Sequence, residues 1–189
     1  MRVKDAKYSI YSGLKALPWR PAYLGAMWIL CGELQSLYAG WIAADEVPLM
    51  ASTMDLTREV VVAGESPQAT KRAADLADAW EPVLAVREDS DASGGLLNTL
   101  GAFAGLAEEI AGICGHYSAA NWATNAAEDR WQDWDQPGPI VVNWDEEADD
   151  SSPMAQTLAL FGRIVSEVTA IQRPEWDPVR IRAQIFDQQ

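Results

Sequence analysis

Histidine and cysteine are scarce in this chain, which has one histidine and two cysteines in 189 residues. Most nucleophilic, general-base and metal chemistry depends on these side chains or on clustered carboxylates, so few kinds of active site remain. No glycine-rich phosphate loop, nucleophile elbow or dinucleotide fingerprint occurs. Cys31 and Cys114 lie in separate apolar runs without a second ligand nearby, which predicts reduced core thiols and neither a disulfide nor a zinc site. We therefore predict no cofactor, and an enzyme is the less favoured class.

Positive charge is also in short supply, since 14 Lys and Arg face 28 Asp and Glu, for a net charge of −14. Residues 1–20 form a basic N-terminal arm of net charge +4, so the rest of the chain carries −18. Phosphate contacts require clustered Lys and Arg, which argues against direct nucleic-acid binding. The arm lacks the apolar stretch and cleavage site of a secretory signal, and this predicts a cytoplasmic protein.

The longest apolar run, residues 21–44, has the length of a bilayer span. It contains Glu33 together with glycines, tyrosines and other polar positions, and no basic cluster follows it. We predict a buried central helix here and no membrane insertion.

Apolar residues recur at spacings of three and four through most of the chain, which predicts helices. Three junctions pair a capping side chain with a following proline that can open a helix, at Ser66, Ser152 and Asp177. The pattern predicts an all-α fold, a single-domain bundle of about six to eight helices over residues 1–189. The predicted helices cover 21–44, 48–63, 67–87 with a bend or break at Pro82, 96–114, 118–130, 153–172 and 178–186. The one strand candidate is IVVNW at 140–144.

Several residues in the helix predicted over 96–114, or just after it, could have either a structural or a chemical role. Its glycines either let a neighbouring helix approach closely or mark a break at Gly115. Glu108 and Glu109 lie in an apolar setting where a carboxylate can bind metal or act as a base, but adjacent helical residues point about 100° apart, so at most one can face the core. We expect both on a solvent-facing edge. We expect His116, at the helix end, to contact terminal carbonyls.

A long acidic loop with several tryptophans, residues 131–152, precedes the penultimate helix. From Glu128 to Asp150, nine acidic residues are opposed by Arg130 alone, which gives −8 over 23 residues. Tryptophan is common among interface anchors, and surrounding carboxylates steer a basic partner. The alternative is that the tryptophans fold the loop onto the helices while the acids are merely solvated. The predicted partner-binding residues are Trp131, Asp133, Trp134, Asp135, Trp144, Asp145, Glu146, Glu147, Asp149 and Asp150.

The segment CGELQSLYAGWIAADEVPLMASTMDLTREVV, residues 31–61, leads from a Cys and a Glu through a tyrosine and a short break into a second helix. With the terminal helix ending in IFDQQ, this order of elements resembles the YjaG-like family of helical bacterial proteins and the immunity proteins of bacterial toxin systems. The resemblance covers about a quarter of the chain and transfers no functional residue. It implies a cytoplasmic helical binder, such as an immunity protein that neutralises a toxin.

These observations favour an acidic cytoplasmic binding protein of the immunity or antitoxin type, which masks a basic protein partner such as a toxin or a nucleic-acid-binding protein. Two alternatives stay open. One is a divalent-metal-dependent helical enzyme that uses Glu33, Glu108, Glu109 and His116. The other is a self-associating structural protein, in which the nine tryptophans supply an oligomer interface. Either a monomer or a homodimer is compatible with the sequence.

Overall fold

Eight helices and no strand make up the part of the chain that the computed structural model describes, namely residues 2–17, 20–88, 94–129, 151–171 and 177–186. The prediction of an all-α bundle is confirmed, whereas the strand candidate at 140–144 lies outside the described residues. The helices are α1 (Val3–Lys15), α2 (Arg20–Leu37), α3 (Val47–Ala63), α4 (Pro67–Glu88), α5 (Gly94–Ala111), α6 (Ser118–Glu128), α7 (Pro153–Ala170) and α8 (Pro178–Phe186).

Side-chain caps begin three of these helices at the residues that the sequence predicted. In each case an oxygen of the capping side chain accepts a hydrogen bond from a backbone N–H in the first turn, where no carbonyl of the helix can reach. The caps are Ser66 for α4, Ser152 for α7 and Asp177 for α8, each at 3.1 Å. The proline that follows each cap has no N–H to leave unsatisfied, so these three boundaries are confirmed.

Helix α5 lies at the centre of the core and is buried on almost all sides. It packs against α4 and α6 and also contacts α2 and α3. A Cβ at Gly101 would lie 2.7 Å from the indole of Trp122, and one at Gly105 would lie 2.9 Å from the backbone nitrogen of Ala119. The prediction that glycines let a neighbouring helix approach is therefore confirmed for these two. The break comes at Gly112, whose φ is 72°, so the helix ends earlier than predicted.

The long apolar run forms a shorter helix than predicted, because α2 ends at Leu37 and the chain continues in turns. Tyr38 is still buried, whereas the side chain of Trp41 is 47% exposed. In the described ranges, no helix combines the length and apolar character needed to span a bilayer.

The basic arm contains a helix that the sequence analysis did not predict. Val3, Ile10 and Leu14 of α1 are buried, and α1 packs mainly against α7 and α6. Of the bend or break predicted at Pro82, the break is wrong, since α4 continues through this residue as one helix. Cys31 is a buried free thiol as predicted. The prediction of a core thiol is wrong for Cys114, which is only half-buried because it follows the end of α5.

Candidate functional site

The predicted partner-binding residues lie outside the described part of the chain. They are Trp131, Asp133, Trp134, Asp135, Trp144, Asp145, Glu146, Glu147, Asp149 and Asp150, and the interpretation placed on them stays a prediction. The structure does describe the two positions between which they lie. Helix α6 ends at Glu128, and α7 begins after the cap Ser152.

The first of these positions is a buried polar cluster at the end of α6. Glu128 is 5% exposed, and its Oε2 accepts a hydrogen bond from Lys7 Nζ of α1 at 2.6 Å. Burial raises the pKa of Glu128 above its ordinary value, although Lys7 opposes the shift. The next residue, Asp129, accepts a hydrogen bond from the amide of Asn98 on α5, and burial also raises its pKa. The start of the acidic segment is thus held against α1 and α5.

Ion pairs within the helical body involve half of its basic residues and about a third of its acidic residues. The described ranges contain 12 Lys and Arg against 17 Asp and Glu. The pairs are Lys7–Glu128, Arg20–Glu65, Arg58–Asp177, Arg72–Glu59, Arg87–Glu46 and Arg182–Glu33. Six of the 12 bases are therefore already paired with a carboxylate of the body. A net charge of −9, out of −14 for the chain, belongs to residues outside the described ranges.

Glu109 is the most deeply buried of the carboxylates that the sequence analysis considered. Its side chain is 2% exposed, so the expectation of a solvent-facing edge is wrong for this residue, whereas Glu108 is half-buried. Glu109 Oε1 accepts hydrogen bonds from the hydroxyl of Tyr23 at 3.0 Å and from the backbone N–H of Ala119 at 2.8 Å. Its Oε2 is buried without a hydrogen-bond partner in the described structure.

The neighbourhood of Glu109 shifts two pKa values in the same direction. Burial raises the pKa of Glu109, and the hydrogen bonds from Ala119 and Tyr23 only partly offset this effect. Burial likewise raises the pKa of Tyr23, and the nearby carboxylate raises it further. The hydroxyl of Tyr23 consequently stays a donor to Glu109 over the whole physiological pH range.

Arg20, the first residue of α2, connects three distant parts of the chain. Its Nη2 donates to the backbone carbonyl of Glu109 at 2.6 Å, and its Nε donates to the carboxylate of Glu65. Its Nη1 lies 3.2 Å from Nδ1 of His116. The expectation that His116 contacts the terminal carbonyls of the helix is therefore wrong. The guanidinium of Arg20 makes that contact, and the imidazole binds the guanidinium.

An open cleft of about 310 Å³ lies beside this junction. The described residues that line it are Leu17, Arg20, Tyr23, His116 and Tyr117. Sequence patterns indicated His116 and Glu109 as candidates but not Arg20 or Tyr23, because nothing in the local sequence distinguishes these two from ordinary helix residues.

The carboxylates of the proposed metal site do not come together. Both Nε and Nη2 of Arg182 donate to Oε1 of Glu33, at 2.9 and 2.7 Å, so Glu33 links α2 to α8. Glu108 lies near Cys114, where burial and then the carboxylate raise the pKa of the thiol to about 11. Within the described ranges, no group of three or more His, Cys, Asp or Glu is placed to hold a metal ion. The structure therefore gives no support to the metal-enzyme alternative.

A scan of protein-family models, a search of curated proteins and a search of solved structures found no match to this chain. The resemblance to immunity proteins thus rests on the sequence segments that carry it.

Proposed function

We propose that this protein is an acidic, cytoplasmic helical binding protein that masks a basic protein partner, as an immunity protein masks its toxin. The observation that carries the proposal is the distribution of charge between the helical body and the segment that follows α6. Residues 131–150 hold seven acids and no lysine or arginine, while half of the body's basic residues form ion pairs inside the body.

This distribution supports binding because unneutralised charge on one segment acts at long range. Negative charge gathered in one region attracts a positively charged partner and raises its association rate by about 10- to 1,000-fold, with a steep dependence on ionic strength. Charged side chains provide few apolar contacts with a partner. Such contacts would come from Trp131, Trp134 and Trp144. Six of the 17 acids in the described body are instead paired with lysine or arginine of that body.

The proposal is tested with two variants that remove the same amount of charge. The first neutralises Asp145, Glu146, Glu147, Asp149 and Asp150 to the corresponding amides. The control neutralises Asp55, Asp75, Asp78, Glu81 and Glu167, which are exposed on α3, α4 and α7 and belong to none of the ion pairs described above. Both variants change the net charge by five, so a difference between them reports position and not total charge.

Wild type and both variants are immobilised, and basic proteins of the native host are captured at low ionic strength and then eluted with salt. We expect one stoichiometric basic partner on wild type and on the control. We expect its association rate with the first variant to fall by at least about tenfold. If wild type captures no stoichiometric basic partner, or if the two variants lose binding equally, the proposal is wrong.

A further inference from the structure

The cleft beside Arg20 is built by three separate parts of the chain. Leu17 comes from the connection that follows α1, Arg20 and Tyr23 from the first turns of α2, and His116 and Tyr117 from the connection before α6. Its volume of about 310 Å³ is at the lower end of the range for small-molecule sites, about 300 to 1,000 Å³. A ligand of this cleft would therefore be small.

Arg20 has hydrogen-bonding capacity that its protein partners do not use. A guanidinium carries five N–H donors, one on Nε and two on each terminal nitrogen. Within the described structure, Arg20 makes one bond from each nitrogen, to Glu65, His116 and the carbonyl of Glu109. One N–H on each terminal nitrogen is therefore left for a ligand. Both donors carry the charge of the guanidinium, which favours an anionic acceptor such as a carboxylate.

The other polar groups of the cleft are compatible with an anion. Because Arg20 can only donate, Nδ1 of His116 is the acceptor in their contact, and the proton of a neutral His116 is then on Nε2. That N–H is a further donor. Lys15 Nζ lies 5.6 Å from the ring centre of Tyr117 and adds positive charge near the cleft. Two acids contact residues of the cleft, namely Glu65, which pairs with Arg20, and Glu109, which is buried behind Tyr23.

The other described residues that line the cleft are aromatic or apolar. The rings of Tyr23 and Tyr117 meet edge to face with their centres 4.9 Å apart, and Leu17 lies beside them. Tyr117 has a φ of 74° and is the one non-glycine residue with positive φ in the described part of the chain. Such a conformation is unfavourable for a tyrosine and persists only where the surroundings impose it, which is common in ligand sites. Here it holds the ring of Tyr117 against Tyr23.

We propose that this cleft binds a small organic carboxylate, with the anionic group on Arg20 and His116 and a ring or short apolar group on Leu17, Tyr23 and Tyr117. The side chain of Glu65 is 53% exposed and already occupies one edge of the same guanidinium. It therefore competes with the ligand for the charge of Arg20. Removal of the Glu65 charge should strengthen binding, a gain that misfolding cannot imitate.

The test uses benzoate as the probe and benzamide as its neutral counterpart of the same shape. Binding is followed by NMR, because His116 is the sole histidine of the chain and its imidazole signal is assigned without further work. We expect saturable shifts of that signal with benzoate, with a dissociation constant of about 1 mM or below. We expect at least tenfold weaker binding of benzamide. Inorganic phosphate, which lacks an apolar group, should also bind at least tenfold more weakly than benzoate.

Three variants locate the site and keep the proposal falsifiable. Glu65→Gln should bind benzoate about three- to tenfold more tightly than wild type. Arg20→Gln should bind at least tenfold more weakly. Arg72→Gln removes another guanidinium that is paired with an exposed glutamate, Glu59, and should bind like wild type.

The proposal is overturned by any of three results. These are equal binding of benzoate and benzamide, no saturable binding by wild type and Glu65→Gln up to about 50 mM, or equal binding by wild type, Arg20→Gln and Arg72→Gln when all three are folded. None of these results bears on capture of a basic protein through residues 131–150, so the two proposals fail independently.

Discussion

The carboxylate of Glu109 caps a helix to which it does not belong, since its Oε1 accepts a hydrogen bond from the N–H of Ala119 at 2.8 Å. The residue at the local capping position of α6, Tyr117, has no side-chain hydrogen bond to the helix. A carboxylate at a helix N-terminus satisfies a free N–H and interacts favourably with the helix dipole. Helix α6 thus depends on α5 for its first turn.

The stability of the protein should respond to pH through Glu109. Burial raises its folded-state pKa above the ordinary value of 4.5, so the unfolded state releases its proton first. The contribution of Glu109 to the free energy of unfolding should therefore be largest below pH 4.5. It should fall as pH rises through the folded-state pKa. Glu109→Gln does not titrate and should lose less stability over that interval. Urea denaturation across a pH series measures the difference.

Two further variants complete this experiment. Glu167→Gln, on the exposed surface of α7, removes the same charge and controls for the lower net charge. Glu109→Leu removes the cap as well and should cost about 1 to 2 kcal/mol. A pH dependence of Glu109→Gln equal to that of wild type would contradict the assignment.

Replacement of Gly95 by alanine should be strongly destabilising. A Cβ at this position would lie 2.1 Å from the hydroxyl oxygen of Tyr38, which is itself buried and donates to the carbonyl of Ala126 at 2.9 Å. Relief of that overlap requires movement of the buried Tyr38 ring or of α5, and we expect a loss of about 2 kcal/mol or more. Gly162 in α7 is the control, because nothing lies within 4 Å of its added Cβ. Gly162→Ala should stabilise the protein by up to about 1 kcal/mol, and thermal melts of both variants should move in opposite directions.

Valine substitutions at Thr53 and Thr57 on α3 can be compared to measure how much one buried hydrogen bond contributes to stability. Both hydroxyls donate to the carbonyl four residues earlier, at 3.0 and 2.8 Å. Only Thr53 also accepts the indole N–H of Trp80, at 3.1 Å, and that indole is completely buried. Thr53→Val leaves the N–H without a partner and should cost about 1 to 3 kcal/mol more than Thr57→Val. Equal losses in denaturant titrations would show that the indole finds another acceptor.

Pro82 should be a site where a helix-forming residue improves stability. It lies inside α4 on the exposed surface, where a proline removes the hydrogen bond to the carbonyl four residues before it. We expect Pro82→Ala to raise the free energy of unfolding by about 1 kcal/mol or more. Pro153→Ala provides the comparison, because Pro153 opens α7 where its missing N–H costs nothing, and it should give no gain. A loss on Pro82→Ala would mean that the proline fits a bend that the bundle requires.

Most helix boundaries could be predicted because they depend on neighbours in sequence. The caps Ser66, Ser152 and Asp177 each bond to an N–H two or three residues later. Helix α1 was missed because its few apolar residues are separated by lysines and polar positions, and its burial is decided by α6 and α7. The break at Pro82 was predicted from the local cost of a proline inside a helix. That prediction failed for a related reason, because the packing of α4 on α5 outweighs this cost.

The candidate site was harder to predict than the fold because its contacts are distant in sequence. Arg20 bonds to residues 45, 89 and 96 positions away, and no local pattern marks such partners. Glu109 could be recognised as a carboxylate in an apolar helix, but which of Glu108 and Glu109 faces the core depends on how α5 is rotated against α6. That rotation follows from Gly101 and Gly105, whose role appears only once α6 is in place.

The docking of α1 also bears on how the protein is made. The ion pair from Lys7 to Glu128 spans 121 residues, and the main partners of α1 are the sixth and seventh helices. A ribosome adds about 5 to 20 residues per second, so roughly ten to thirty seconds separate synthesis of the first helix from synthesis of the seventh. During that interval Val3, Ile10 and Leu14 lack the main surface that covers them in the folded protein, and this segment of the nascent chain is open to chaperones.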